Sequence, residues 1–146
     1  MCISKETLSL RKVNKKDESL LFNWANDYDV RKWSFNKKTI TLDKHKIWFE
    51  GKLSNKNVLI WILEDENMPA GMVRLEKEGS SILLNYLIAP KYRGKKLASK
   101  MLDMAMKELN TYWKNVKVLA YTLPNNIASI KSLENAGFFL DDSSTN

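Results

Sequence analysis

Leu87-Ile-Ala-Pro-Lys-Tyr-Arg-Gly-Lys-Lys-Leu-Ala-Ser-Lys100 is the stretch on which the reading of this chain turns. It starts as the apolar end of a strand. Proline disfavours helical geometry in the residue before it, so Pro90 puts the strand end near Ala89. Lys91, Arg93, Lys95, Lys96 and Lys100 then gather around a single glycine, Gly94. Beyond it, Leu97, Met101, Ala105 and Leu109, with Ala98 and Leu102 beside them, form an amphipathic helical stripe. A basic turn feeding a helix N-terminus offers unpaired backbone N–H groups and the positive end of a macrodipole to an anion. Chemically this is a phosphate cradle, and the bland alternative is a helix start with a solvated basic face.

Composition bounds the rest. At 146 residues the chain has the length of one domain, and 1–146 is expected to fold as a single unit. Charged residues at 28% and hydrophobic ones at 44% suit an ordinary globular chain. No run approaches the roughly 18 apolar residues of a membrane span. The N-terminal Met-Cys-Ile-Ser-Lys-Glu-Thr lacks a secretory apolar stretch, so a cytoplasmic protein is expected. The single cysteine, Cys2, excludes an internal disulfide, and with only His45 to join it no metal site is expected. A net charge of +7 suits either nucleic acid or a ligand with several phosphates. The lysines are dispersed with no long basic run, which favours the phosphate ligand and makes nucleic acid an unlikely partner.

Taken in order, Leu8–Val13 alternates as a half-buried strand. Asp17 is the expected N-cap of a helix through Leu20, Leu21 and Trp24 that ends near Asn26. Asn26–Asp29 reads as a turn, and Val30–Asn36 as a short helix or an ordered loop. Thr41 or Asp43 caps a second helix to about Leu53, with His45, Trp48, Phe49 and Lys52 on one face. Val58–Leu63, Ala70–Leu75 and Ile82–Ile88, joined by short turns, read as an antiparallel meander. The helix from Gly94 to about Asn110 follows, then a strand over Val116–Thr122. In Leu123-Pro-Asn-Asn126-Ile-Ala-Ser129 through Ala136-Gly137-Phe138, Asn126 caps a last helix and Gly137 supplies its left-handed end.

Together the two stretches resemble the GNAT N-acetyltransferase superfamily. Its acetyl-CoA loop reads Gln/Arg-x-x-Gly-x-Gly/Ala, with Arg93 and Ala98 here at the ends and Lys96 where a second glycine is usual. Its second signature, Asn-x-x-Ser or Asn-x-x-Ala followed by Gly-Phe, is matched by Asn126, Ser129, Gly137 and Phe138. The resemblance implies an α/β (α+β) GNAT fold, a mixed and mostly antiparallel sheet flanked by four helices. At most one short strand is expected after Phe138, leaving an open edge that invites a homodimer or a covering loop. Acetyl-CoA is the implied co-substrate, held by Leu87, Ile88, Arg93, Gly94, Lys95, Lys96, Leu97, Ala98, Asn126 and Ser129. Backbone N–H groups near Leu87 and Ile88 are the implied oxyanion and pantetheine donors.

Within the superfamily, the landmarks Trp24, Arg31, His45, Trp48 and Arg74 are similar to acetyltransferases of nucleotide-linked amino sugars, as in the pseudaminic acid pathway. That likeness implies a small-molecule amine, a phosphate-bearing sugar, with Trp24, Arg74 and Asn85 at the acceptor. Against it, the two tryptophans read equally as core anchors, His45 as a capping or core residue, and Arg74 as the partner of Glu76. The tyrosine that many members carry four residues before the final glycine is Leu133 here, so Tyr86, His45 and Tyr121 are the remaining acid or base candidates. Without a dedicated base, an acceptor with a pKa of about 7.7–8.0 is better suited than a lysine amine at about 10.4. Protein N-termini, polyamines and antibiotic amines are the alternative acceptors, and a non-catalytic CoA- or anion-binding module is the non-enzymatic reading.

Overall fold

The computed structural model describes residues 7–141; Cys2 and the tail from Asp142 lie outside them. The chain runs β1 (Leu8–Lys12), a 3-10 turn (Lys15–Asp17), α1 (Glu18–Ala25), α2 (Tyr28–Lys32), α3 (Leu42–Ser54), β2 (Val58–Asp65), β3 (Met68–Glu78) and β4 (Ser81–Ile88). A second 3-10 turn (Pro90–Tyr92), α4 (Leu97–Leu109), β5 (Lys117–Leu119) and α5 (Ile127–Asn135) complete it. The sheet order is β1-β2-β3-β4-β5. The first four strands are antiparallel, as short turns allow, and β5 runs parallel to β4 because α4 carries the chain back across the sheet. The expected mixed, mostly antiparallel sheet is present.

Strand alternation divides the core between two faces. Trp61, Leu63, Val73, Leu75, Ile82 and Leu84 point to one face, where Met101, Leu102, Ala105 and Leu109 of α4 cover them. Ile60, Ile62 and Met72 point to the other, under Leu21 and Trp24 of α1 and Phe49 of α3. Each Val, Leu, Ile, Met or Phe among them contributes about 1.5–3 kcal/mol by leaving water. Trp24, at 7% exposure, is one of these anchors.

Three local expectations are corrected. Among the described residues there are five α-helices rather than four, because Asp27, read as part of a turn, accepts hydrogen bonds from the Asp29 and Val30 amides and so starts α2. Asp17 sits at the N-cap position of α1, but its carboxylate makes no cap bond there. It takes two hydrogen bonds from Arg11 at 2.8 Å and one from the Asn14 amide. The last strand is three residues long, not seven, and pairs only Ser81–Leu83 of β4. Beyond it the chain is drawn off towards α5, which is fastened by the Tyr86 hydroxyl at Ser129 and by Ser99 donating to the Ser132 carbonyl. Residues 138–141 form no strand, so β5 ends the sheet among the described residues. No helix of the described residues is long and apolar enough to cross a membrane.

Candidate active site

Because β5 stops at Leu119, the second half of β4 has a ladder partner on one side only. Ala89 donates to the Ala70 carbonyl, which fixes the alternation of the antiparallel ladder. The amides of Asn85 and Leu87 therefore face β3, and those of Tyr86 and Ile88 face the gap. Of the two amides expected there from the resemblance, that of Ile88 faces the gap and that of Leu87 faces β3, while strand parity puts the Tyr86 amide beside Ile88 on the gap side. Gly71 makes this geometry possible on the β3 side: a Cβ there would stand 2.9 Å from the Leu87 oxygen and 3.0 Å from the Met101 sulfur.

The gap opens into a cleft of about 600 Å³ between the β4 end, the Arg93–Ala98 turn and the start of α5. Ile88, Arg93, Gly94, Lys96, Leu97, Ala98, Asn126 and Ser129 all line it, as do Leu87 and Tyr121. Lys95 does not; its ammonium lies over the Tyr92 ring at 5.6 Å. No side chain caps α4, so its first amides are free for an anion. Gly94 has φ 77° and Lys96 φ 60°. Lys96 thus holds a left-handed conformation immediately before the helix, not the helical backbone its side chain would prefer. This is why glycine is the residue expected at that position.

The Arg93 main chain opens the turn expected to hold the diphosphate, while its side chain is bound within the protein. Its Nε donates to the Ile88 carbonyl at 3.1 Å, Nη2 to Asp27 at 2.7 Å and Nη1 to Asp29 at 3.1 Å. The guanidinium is a clamp between the end of β4 and the start of α2, with each of its three nitrogens engaged once. Asp29, among the described residues the one carboxylate lining the cleft, is thereby balanced by a cation. An uncapped helix, two left-handed turn residues and dispersed lysines fit a diphosphate on backbone amides.

Tyr86 stands in the cleft with its hydroxyl 2.7 Å from Ser129 Oγ. Burial, offset in part by hydrogen bonds to Ser129 and Ser132, raises its pKa above 10.0, so it stays a neutral hydroxyl. Asn126 caps α5 by accepting from the Ser129 amide, and among the described residues its NH₂ group has no protein partner. Tyr121 is 54% exposed at the rim.

A second chamber of about 420 Å³ lies on the opposite face of the sheet, under α1 and α3. Asn85, Tyr86 and Leu87 border both spaces, so the two adjoin the same end of β4. His45 and Arg74 line this second chamber. His45 is buried among Phe22, Trp48 and Phe49, its Nε2 bonded to the Glu18 carbonyl at 3.1 Å. Burial lowers its pKa, so the ring is neutral and bridges α1 to α3. Trp24 lines neither space; its expected place at the acceptor is corrected to a core anchor, since α1 turns its indole onto the sheet.

Sequence reasoning missed Asp27, Asp29 and Gly71. The Asp-x-Asp pattern had a cap signal in it, but no local signal ties it to Arg93 across more than sixty residues. Arg31 was noted only as a landmark. Its guanidinium is bound by the Ala25, Asn36 and Lys38 carbonyls and by Ser34, and it thereby folds the loop after α2.

Solved structures share this architecture. Spermidine N-acetyltransferase from Vibrio cholerae superposes with a TM-score of 0.84 at 19% identity, covering 94% of this chain and 83% of that one. The aminoglycoside acetyltransferase AAC(6')-Ib does so with 0.78 at 19% identity, covering 92% and 84%. A domain from Methanocaldococcus jannaschii gives 0.77 at 24% identity, covering 92% and 89%. At these identities the likeness establishes the fold alone. No curated protein sequence matches the chain. The family model described as an acetyltransferase (GNAT) domain matches residues 7–139. Matched over nearly its whole described length, the chain belongs to the GNAT acetyltransferase family and is an acetyl-CoA-dependent N-acetyltransferase.

Proposed function

We propose that this chain moves an acetyl group to a primary amine of a small molecule, with acetyl-CoA in the larger cleft and the amine in the chamber across β4. The single observation that carries the reading is the junction at Asn85, Tyr86 and Leu87, where the two spaces meet beside strand amides that have no partner. Acetyl-CoA supplies the acetyl group as a thioester. Free amides of α4 with Lys96 hold its diphosphate, and Asn126 and Ser129 line the path of its arm. The Tyr86 and Ile88 amides are the donors for charge on the carbonyl oxygen, and such donors are typically worth about 10²–10³ in rate. Tyr86, neutral and in the cleft, is the residue suited to donate a proton to the departing sulfur. His45 has its Nε2 engaged and serves position rather than proton transfer.

For the acceptor, an amino sugar carried on a phosphate is the first reading. Arg31, Lys44 and Arg74 line the chamber and no carboxylate does, among the described residues. Polyamines or aminoglycosides are the second reading, favoured by the neighbours named for spermidine and aminoglycoside acetylation. The bare β5 edge beside the exposed Phe139 and Leu140 supports association of two copies there, and sedimentation as a monomer would remove that reading.

The test of acetyl transfer has two stages. Acetyl-CoA is titrated into labelled protein while the amides of residues 93–98 are followed; they shift if the cleft is the site, and unmoved resonances sink it. Thiol release is then measured with phosphorylated amino sugars, spermidine, an aminoglycoside and a peptide N-terminus.

A further inference from the structure

Among the described residues, the acceptor chamber contains one half-buried cation, Arg74, whose terminal nitrogens make no hydrogen bond to protein. Arg74 of β3 shares its sheet face with Met72 and Glu76, and sits in register with Asn85 of β4. Its Nε donates to Glu76 Oε2 at 3.0 Å, and its Cζ lies 5.0 Å from the centre of the Trp48 ring. Neither terminal nitrogen has a bond to protein among the described residues. No buried side-chain nitrogen lacks a partner, so both reach the open chamber. Lys52 from α3 binds the other Glu76 oxygen, so two cations share one carboxylate and one positive charge is left over. The guanidinium is thus fixed in plane by an ion pair behind it and an indole beside it, with its fork turned to the space. That is the arrangement that reads a planar carboxylate or a phosphate by two parallel hydrogen bonds.

The other cations do not serve in this way. The donors of Arg31 are taken up by three backbone carbonyls and Ser34. Lys44 is exposed at the rim. Among the described residues no Asp or Glu lines the chamber, so an amine with several positive charges meets like charge there.

We propose that Arg74 is the acceptor-recognition residue of this enzyme, receiving a phosphate or carboxylate carried by the amine, so that the chain acetylates anionic rather than polycationic amines. The assignment rests on the acceptor occupying this chamber, as argued above. Asn85, facing both spaces from the neighbouring strand, supplies a neutral polar wall between the anion and the reacting amine.

Calorimetry on CoA-saturated protein with glucosamine 6-phosphate, β-alanine, glucosamine and spermidine tests it. At least one anionic amine is expected to bind about tenfold or more tighter than glucosamine and spermidine, the size of a charge-assisted hydrogen bond. Glucosamine 6-phosphate and β-alanine separate phosphate from carboxylate. Arg74→Gln abolishes the preference and Arg74→Lys keeps part of it, while both retain acetyl-CoA binding because Arg74 lies outside that cleft; this retention also reports that the variants fold. Spermidine or glucosamine binding as tightly as both anionic amines, no anionic amine binding at millimolar concentration, or a preference that survives Arg74→Gln overturns the assignment. Thiol release from acetyl-CoA keeps the two readings apart. Release with spermidine that Arg74→Gln leaves unchanged overturns the role of Arg74 and leaves acetyl transfer standing. Arg74-dependent binding with no release from any acceptor overturns transfer and leaves the anion site.

Discussion

The Arg93 guanidinium lies 2.7 Å from the Asp27 carboxylate, so the residue that opens the phosphate turn is held by the residue that caps α2. One carboxylate oxygen therefore joins two parts of the chain. The acceptor-side segment after α1 cannot move away without releasing the turn on which acetyl-CoA is expected to sit.

Asp27→Ala removes that joint. The loss of an N-cap alone costs about 1–2 kcal/mol, and the ion pair with Arg93 goes with it. Urea unfolding reports the global loss. Hydrogen exchange at the Asp29 and Val30 amides, which Asp27 accepts from, is expected to rise before any amide of the sheet.

Acid destabilises the fold through three carboxylates. Hydrogen bonds from Arg11, against the opposing effect of burial and helped by the Asn14 amide, hold Asp17 below 3.8. At Asp27 burial pushes upward most strongly, yet Arg93 and the Val30 and Asp29 amides together keep it below 3.8. At Glu76 burial is again outweighed, by Lys52 and Arg74, and the pKa lies below 4.5. Each folded value lies under its unfolded one, so the stabilisation is present in full above the unfolded value and is lost as pH falls through the folded one. Stability is expected to be level above about pH 5 and to fall below about pH 4. Asp17→Asn lowers neutral-pH stability by about 1.5–3 kcal/mol and makes the acid limb shallower, measured by urea midpoints across pH.

Lys96→Gly is expected to stabilise. A left-handed backbone costs a side-chain-bearing residue about 1–2 kcal/mol, and glycine adopts it freely. Part of that gain is offset by glycine's looser unfolded state. Thermal unfolding that shows a loss instead of a gain sinks the argument.

Gly71→Ala acts on the site through the backbone. Its Cβ meets the Leu87 oxygen and the Met101 sulfur at or below 3.0 Å, and the carbonyl belongs to the strand that carries the free amides. A cost of about 1–3 kcal/mol is expected from overpacking, with thiol release falling further than stability does. Equal activity at equal folded concentration would remove the link between this glycine and the gap.

Tyr86→Phe deletes the hydroxyl and keeps the ring. If Tyr86 supplies the proton, kcat drops by about a hundredfold, the lower end for general acid catalysis. Because burial keeps its pKa above 10.0, Tyr86 contributes no loss of rate on the alkaline side below that value. A pH–rate profile of the wild type and the variant reads both.

Much of the fold was legible because it depends on neighbours in sequence. The β-branched and aromatic run Val58–Leu63 and its partner Ala70–Leu75, the proline after Ala89 and the stripe from Leu97 to Leu109 each specify an element by local sterics and burial. The cap at Asn126 and the left-handed Gly137, at φ 94°, were readable for the same reason. The subtler errors came where two local roles competed. Asp17 had a capping position open to it, and Arg11 on the adjacent strand drew its carboxylate elsewhere. Trp24 had the chemistry of a binding residue, and the amphipathic phase of α1 put it in the core.

The amino-acid order alone determined that a basic, glycine-bearing turn follows a strand and precedes a helix, since backbone preference and hydrophobic period act over a few residues. Only the tertiary structure decided what the charged groups do. Whether Arg93 clamps carboxylates or faces a phosphate, and whether the Arg74 fork is spent or free, depends on which side chains arrive from distant strands and helices. Electrostatic pairing and desolvation act through space, and the packed sheet sets those distances.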